Sequence, residues 1–399
     1  LPANHLLHLF FILVLPLFLP LYSLAADQNG MSAAPERVLR TERLRKAFEK
    51  LQREQLQRRF AEGSLLGKNP SNMALSTYVA HILTRNNFPS ELIQENSDPE
   101  EGLFLHLKLP SWINLRFLNR KIQATELGQF EYFSKQSADE NTELLGIHLI
   151  VQEKLCEIFF EKTHPKAKIA IIIDDVGYFG NGFPLYLQIN RPMTFSVLPL
   201  YESSGKISSV VDKHGFEVML HLPLDSGNTP YYEYEYLIRP GQTKEEVSHN
   251  FRKSLEKFPV GIIAGVNNHE GSASTEDQEL MDFLMQEMAA HPQLYFVDSI
   301  TSPRSVAAKT AEKYKIPVNK RHFDFLDNVK SKAQIKAKIQ ELIEFSLRRS
   351  QPTIAILHEK KVSAQAVIEM LTEFELHEIE IISPSEIINN KEALIGLKH

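Results

Sequence analysis

From Ala167 onward, short apolar runs alternate with longer segments whose apolar positions recur at helical spacing. The runs predict strands over Ile169–Ile173, Thr194–Leu198, Glu217–Leu222, Gly261–Val266, Leu294–Val297, Pro317–Val318 and Thr353–Leu357. The spaced segments predict helices near Phe183–Ile189, Gly205–Lys213, Lys244–Lys257, Glu276–Ala290, Ser305–Lys315, Ala333–Ser350 and Ala364–Phe374. Repeated strand-then-helix order implies a parallel sheet under helices, closed into a regular or a distorted barrel. The run Ile169–Ile173 is continuously apolar, as a central strand covered on both faces must be, and it ends in Asp174, Asp175 and Gly177.

The pattern upstream is different. Leu103–Leu109 alternates like a strand, Met73–Leu83 and Ile113–Leu127 have helical spacing, and Leu144–Gln152 and Lys154–Phe160 read as two more strands. These predict a small α+β domain over residues 69–162, joined to the barrel by the proline-containing link Thr163–Lys166. No motif in it carries chemistry, and His106 and His148 read as structural. Residues 26–68 predict a charged helical spacer, densest in Arg, Lys, Glu and Gln from Arg37 to Arg59. Before it, Leu6–Leu24 is almost wholly apolar, and small Ser23 and Ala25 predict cleavage before Ala26. Residues 1–25 therefore read as a secretory signal or as an uncleaved membrane anchor. Either predicts a periplasmic or secreted location, the second with membrane association through the N-terminus.

Composition changes this picture little. An apolar fraction of 43% and a charged fraction of 24% fit globular material, and 399 residues allow more than one domain. A net charge of −6 without a broad basic excess argues against nucleic acid as a partner. One cysteine, Cys156, excludes an intramolecular disulfide framework, and its apolar neighbours make it a core filler.

The polar residues that end the strands are more informative. Asp174 and Asp175 follow the first strand, His221 lies in Met219–Leu224, His269 follows Gly265–Asn268, Asp298 follows Phe296–Val297, and His358 ends Ile354–Leu357. A parallel sheet brings such ends to one rim. Adjacent aspartates repel unless a cation or a proton is shared between them. Two imidazoles and a carboxylate, with one position left to water, form the ligand set of a catalytic zinc or similar divalent ion. Each residue also has a plain structural reading. Strand-end aspartates cap following segments, Asn267 and Asn268 suit a turn, and Arg304 can clamp Asp298. Tyr231, Tyr232, Tyr234 and Tyr236 form either a sugar-stacking loop or ordinary packing.

Five runs carry a resemblance: Ile173-Asp174-Asp175-Val176-Gly177-Tyr178, His221-Leu222-Pro223-Leu224, Gly265-Val266-Asn267-Asn268-His269-Glu270-Gly271-Ser272, Asp298-Ser299-Ile300-Thr301-Ser302-Pro303-Arg304-Ser305, and Phe325-Leu326-Asp327-Asn328. In this order they resemble the divergent polysaccharide deacetylases, a branch of the NodB-like carbohydrate esterase superfamily, over residues 166–392. The resemblance implies an α/β fold, a deformed (β/α) barrel of the NodB-like type, with a divalent metal at its rim, zinc first among candidates. It implies Asp174 as general base, Asp175, His221 and His269 as metal ligands, and His358 as general acid. Asp298 and Arg304 are the supporting catalytic groups, and Asn268, Ser272 and Tyr178 fall to substrate binding.

The chain departs from the superfamily pattern at two places. Asp225 stands where a second histidine is usual, and His269 is the expected replacement. The last motif reads Leu357-His358-Glu359 where the branch has glycine and proline around the histidine. The implied reaction is hydrolysis of N-acetyl groups from an amino-sugar polysaccharide, peptidoglycan included. The competing class is a non-catalytic envelope protein that keeps the fold and binds metal or glycan. A glycosidase is disfavoured, because its two carboxylates must flank a sugar rather than sit side by side.

Overall fold

The computed structural model describes residues 93–98, 102–123, 130–134, 142–151, 154–228, 235–329 and 331–388. The segments read as signal and charged spacer, the helix over Met73–Leu83, and Tyr231, Tyr232 and Tyr234 lie outside them. No helix among the described residues is long and apolar enough to cross a membrane.

The first layer is a five-stranded sheet built from β1 (Ile93–Asp98), β2 (Gly102–Leu109), β3 (Phe130–Ser134), β4 (Thr142–Val151) and β5 (Lys154–Thr163), in the order β1-β2-β5-β4-β3, with α1 (Leu115–Gln123) between β2 and β3. Only β2 and β5 run parallel; the other neighbours are antiparallel. β1 had no signature in the sequence, since Ile-Gln-Glu-Asn-Ser-Asp lacks apolar alternation and sits at a sheet edge, where one side needs no partner.

Three residues separate β5 from the barrel, so the link is a tight corner. Lys162, the penultimate residue of β5, is buried, and its ammonium donates to the carbonyls of Ser111 and Ile113 and, at 2.8 Å, to Glu380. Phe117 of α1 stacks on Phe216 at 5.6 Å, and the Arg191 guanidinium lies 4.0 Å above the Trp112 ring.

The barrel strands are β6 (Ala167–Val176), β7 (Thr194–Val197), β8 (Glu217–Leu224), β9 (Ile263–Glu270), β10 (Tyr295–Asp298), β11 (Val318–Lys320), β12 (Thr353–His358) and β13 (Ile379–Ile382). Their order is β11-β10-β9-β8-β7-β6-β12, every pair parallel. Backbone bonds from His322 to Ile354 and from Leu326 to Ile356 carry the chain across the remaining gap, giving a nearly closed (β/α) barrel. β13, absent from the sequence-predicted set, pairs with the lower part of β6 (Ala167–Ala170), while β7 takes the upper part (Ile172–Val176).

The covering helices are α2 (Phe183–Tyr186), α3 (Ser204–Lys213), α4 (Lys244–Glu256), α5 (Ser272–Glu276), α6 (Gln278–Met288), α7 (Ala307–Lys313), α8 (Lys332–Leu347), α9 (Lys361–Leu376) and α10 (Pro384–Ile388). Their starts follow local chemistry. Thr243 and Glu246 form a reciprocal capping box on α4, and Asp277 and Ser331 accept the N-terminal amides of α6 and α8. α6 buries Leu280, Met281, Leu284, Met285 and Met288, the stripe its helical spacing requires.

Strand alternation divides the core. Ala170, Ile172, Met219, Tyr295, Val297, Ile354, Ile356 and Ile382 pack together inside the barrel. Ile169, Ile171, Ile173, Val218, Leu220, Val266, Phe296, Ala355 and Leu357 face the helices. Side chains two apart share a face, so each inner row can be extended to the strand ends, where it selects the residues at the rim.

Candidate active site

The inner row 170, 172 on β6 continues to Asp174, and alternation would turn Asp175 outward. The backbone prevents it. Asp175 adopts φ 61°, the left-handed region, and the β6–β7 register shifts between Ile173 and Val176. Such a bulge re-aims a side chain, and aspartate tolerates it better than most residues. Both carboxylates therefore reach the rim.

On β8 the inner row Met219 leads to His221, and on β9 Gly265 leads to Asn267 and His269. There the ligand-type atoms converge. Asp175 Oδ1 lies 3.3 Å from His221 Nε2 and 3.0 Å from His269 Nδ1, and the two imidazole nitrogens are 3.1 Å apart. Ligands held about 2.0–2.1 Å from a tetrahedral zinc stand roughly 3.3 Å from one another, so these residues fit such an ion. Asp225 is not part of the group. Its carboxylate accepts the Gly227 amide in the turn after β8.

Asn267 organises what lies beneath. Its Oδ1 faces His221 Nδ1 at 2.9 Å and accepts the Ser196 hydroxyl, while its Nδ2 donates to Asp174 Oδ1 at 2.9 Å and to Ser299 at 3.2 Å. An ionised Asp174 can only accept, which fixes the amide orientation. The amide oxygen then holds the proton on His221 Nδ1 and leaves the Nε2 lone pair facing Asp175 and His269. Asp174 and His221 are each only 2% exposed, whereas the Asp175 side chain is 39% exposed and opens the group to solvent.

The charges are strongly perturbed. Burial pushes Asp174 up, and Asp175 adds to this against the opposing pull of His221, His358 and the Asn267 bond. Burial also works against a charged Asp175, but hydrogen bonds and charge from His221 and His269 hold it well below the usual carboxylate range. Burial disfavours the His221 imidazolium, yet Asp174 and Asp175 together raise its pKa. A divalent cation would replace the proton as counter-charge to these carboxylates.

His358 ends the inner row 354, 356 on β12, directly beside Asp174 in the β6–β12 register. Its Nδ1 meets Asp327 Oδ1 at 2.7 Å, and its ring stacks on Phe325 at 5.4 Å. Asp327 is pinned in turn by the His358 amide and the Ser363 hydroxyl. Burial lowers the His358 pKa, but the Asp327 bond and charge, with Asp174 and Asp175 beyond, raise it on balance. Glu359 follows this histidine, and its amide donates to the Asp174 carbonyl.

Several expected residues lie elsewhere. Asp298 shares a face with Phe296, outside the barrel, and binds the Ser305 hydroxyl and the Ala308 amide at the start of α7. Arg304 does not clamp Asp298; it pairs with Glu276 at 2.7 Å and is otherwise solvated. Asn268, alternating outward from Asn267, accepts the Ser299 amide and donates to the Glu270 carbonyl and Thr301 hydroxyl, so it clasps β9 to β10. Ser272 begins α5 and donates to the Thr301 carbonyl at 3.3 Å. Tyr178 stands exposed at the rim against Tyr201. Sequence reading missed Asn267, Ser196, Asp327 and Arg321, whose guanidinium binds the carbonyls of Ser299, Ile300 and Phe323. Strand alternation could have found the first two.

A nearly closed parallel (β/α) barrel thus gathers two aspartates and two histidines at its carboxyl rim. The chain belongs to the divergent polysaccharide deacetylase family, whose match covers residues 171–388, more than half of the sequence. The uncharacterized protein YibQ of Escherichia coli (strain K12) is 28% identical over 222 residues, 56% of this chain and 67% of that one. An uncharacterized protein of Haemophilus influenzae is 29% identical over 193 residues, 48% of this chain and 67% of its own. The crystal structure of an uncharacterized protein from Agrobacterium tumefaciens C58 has the same fold, with a TM-score of 0.51 at 20% identity over 56% of this chain and 89% of that chain.

Proposed function

We propose that this protein is an exported, metal-dependent hydrolase that removes N-acetyl groups from amino-sugar polysaccharide, with peptidoglycan among its candidate substrates. The observation that carries the reading is the Asp175–His221–His269 cluster, with Asp174 beneath it and His358 beside Asp174. Zinc is the ion proposed, held by those three side chains, and when bound it would polarise the amide carbonyl and activate water. Asp174 Oδ2 takes the proton of the attacking water, its other oxygen being fixed by Asn267. His358, held by Asp327 with Nε2 free, donates a proton to the leaving amine. Asn268, Asp298 and Ser272 act by holding the β9 and β10 ends in place. Export is supported by the apolar Leu6–Leu24 run with small Ser23 and Ala25, and membrane association by the anchor reading of the same run.

The test is elemental analysis of the purified full chain together with acetate release from chitooligosaccharide and peptidoglycan. Near-stoichiometric zinc with acetate release is expected. Asp175→Ala and His221→Ala should each lose the metal, and Asp174→Asn should keep it while losing turnover. Metal with no acetate from any amino-sugar polymer would favour a metal- or glycan-binding envelope protein. Full turnover in Asp174→Asn would remove the base assignment.

A further inference from the structure

Eight large apolar side chains are exposed among the described residues, and three of them, Tyr178, Phe179 and Tyr201, stand together on the two loops beside Asp175. Tyr178 and Phe179 lie on the β6–α2 loop, Tyr201 on the β7–α3 loop. The two tyrosines meet edge to face at 5.6 Å, the three residues are 39–54% exposed, and the Lys206 ammonium lies 5.8 Å over the Phe179 ring. Soluble surfaces rarely group such residues without a use.

The loops are built to hold these rings still. A Cβ at Gly177 would stand 2.5 Å from the Tyr201 ring, so only glycine lets that ring lie against the loop. Ser203 donates to the Gly177 carbonyl at 2.6 Å. Phe179 is held edge-on by Phe183 at 5.9 Å. Beneath the loop the Glu359 carboxylate, 6% exposed, fills the space that a side chain at Gly180 or Gly182 would take, and its buried Oε1 has no hydrogen-bond partner among the described residues. Glu359 thus braces the rim loop from the end of β12, while its own amide binds the Asp174 carbonyl.

We propose that Tyr178, Phe179 and Tyr201 form a stacking wall for the pyranose next to the one whose N-acetyl group reaches the metal cluster, so that the protein takes chains of equatorially substituted amino sugars in preference to the free sugar. Such sugars present flat faces of axial C–H bonds, which suit an open aromatic face, while their hydroxyls remain solvated at the rim. A ring preorganised in this way loses little freedom on binding. The choice of an amino-sugar chain rests on the deacetylase reading; the wall rests on its own geometry.

Saturation-transfer NMR on the full chain, comparing N-acetylglucosamine with chitotetraose, tests this directly. The tetramer should bind at least about tenfold more tightly, the gain expected of one or two stacked rings. Tyr178→Ala/Phe179→Ala should abolish that ratio with metal content unchanged. Glu359→Ala should weaken tetramer binding, and Glu359→Gln, which fills the same space beneath the loop, should restore it. Equal affinity for monomer and tetramer, or an unaltered ratio in the double variant, overturns the wall. Loss of binding in a protein that releases no acetate keeps the wall and removes the deacetylase; acetate release with unchanged tetramer KM in the double variant does the reverse.

Discussion

His358 is a histidine whose behaviour is set by a residue thirty-one positions earlier. The Asp327 carboxylate holds the Nδ1 proton and, by its charge, makes the imidazolium persist to higher pH than burial alone would allow. If His358 is the general acid, the protonated form carries activity, and activity falls as pH rises through its pKa. Asp327→Asn removes the charge, lowers that pKa, and should move the alkaline limb of kcat/KM to lower pH. His358→Ala should cost roughly 10²–10⁴-fold in turnover, the contribution of a positioned acid. A pH–rate profile of the two variants beside the unmodified protein checks this, and an alkaline limb unmoved in Asp327→Asn would assign the acid to another group. At this scale Asp174, Asp175 and His358 were legible because each follows an apolar run, and His221 and His269 because each lies in or just after a predicted strand. Asp327 was visible only as part of a motif, since its partner comes from another strand end. Asn267 was read as a turn residue, although it links His221 to Asp174.

Strand alternation explains both the successes and the errors among the site residues. Extending each inner row to its end selects Asp174, His221, Asn267, His269, Ser299 and His358, and rejects Asn268 and Asp298. The rejected pair had the right residue types at the right strand ends but the wrong parity. Asp175 is the exception, and its position depends on one left-handed backbone conformation. A β-branched residue resists that conformation by about 1–2 kcal/mol, whereas asparagine accepts it. Asp175→Val should therefore unfold at lower denaturant concentration than Asp175→Asn by about that energy, although both lack the carboxylate. Equal midpoints in urea titrations would mean the bulge relaxes freely. Parity was readable in the sequence; the bulge was not, because no residue type demands it there.

For the whole molecule, the barrel was legible from alternating strand and helix patterns, and the pairing of β13 with the lower part of β6 was not. β13 (Ile379–Ile382) was not among the expected strands, and β11 (Val318–Lys320) was expected over Pro317–Val318. The corner between the small sheet and the barrel was equally hidden, because it depends on Lys162 finding Glu380 more than two hundred positions away. Removing Glu380 would leave the buried Lys162 only Glu143 at 3.4 Å, and removing Lys162 would leave the buried Glu380 only Lys168 at 3.7 Å. β6 sits at the centre of this arrangement. It is hydrogen-bonded along one side by β12 and along the other by β13 below and β7 above. Its amides have no local route to deuterated water, so they should exchange only when the entire barrel opens, more slowly than those of the short edge strand β11. Hydrogen-exchange mass spectrometry should find the same slow β6 peptides with and without zinc. The two aspartates would then be supplied by the most persistent element of the fold, and a metal ion would enter a frame already set, rather than gather its ligands from a partly open chain.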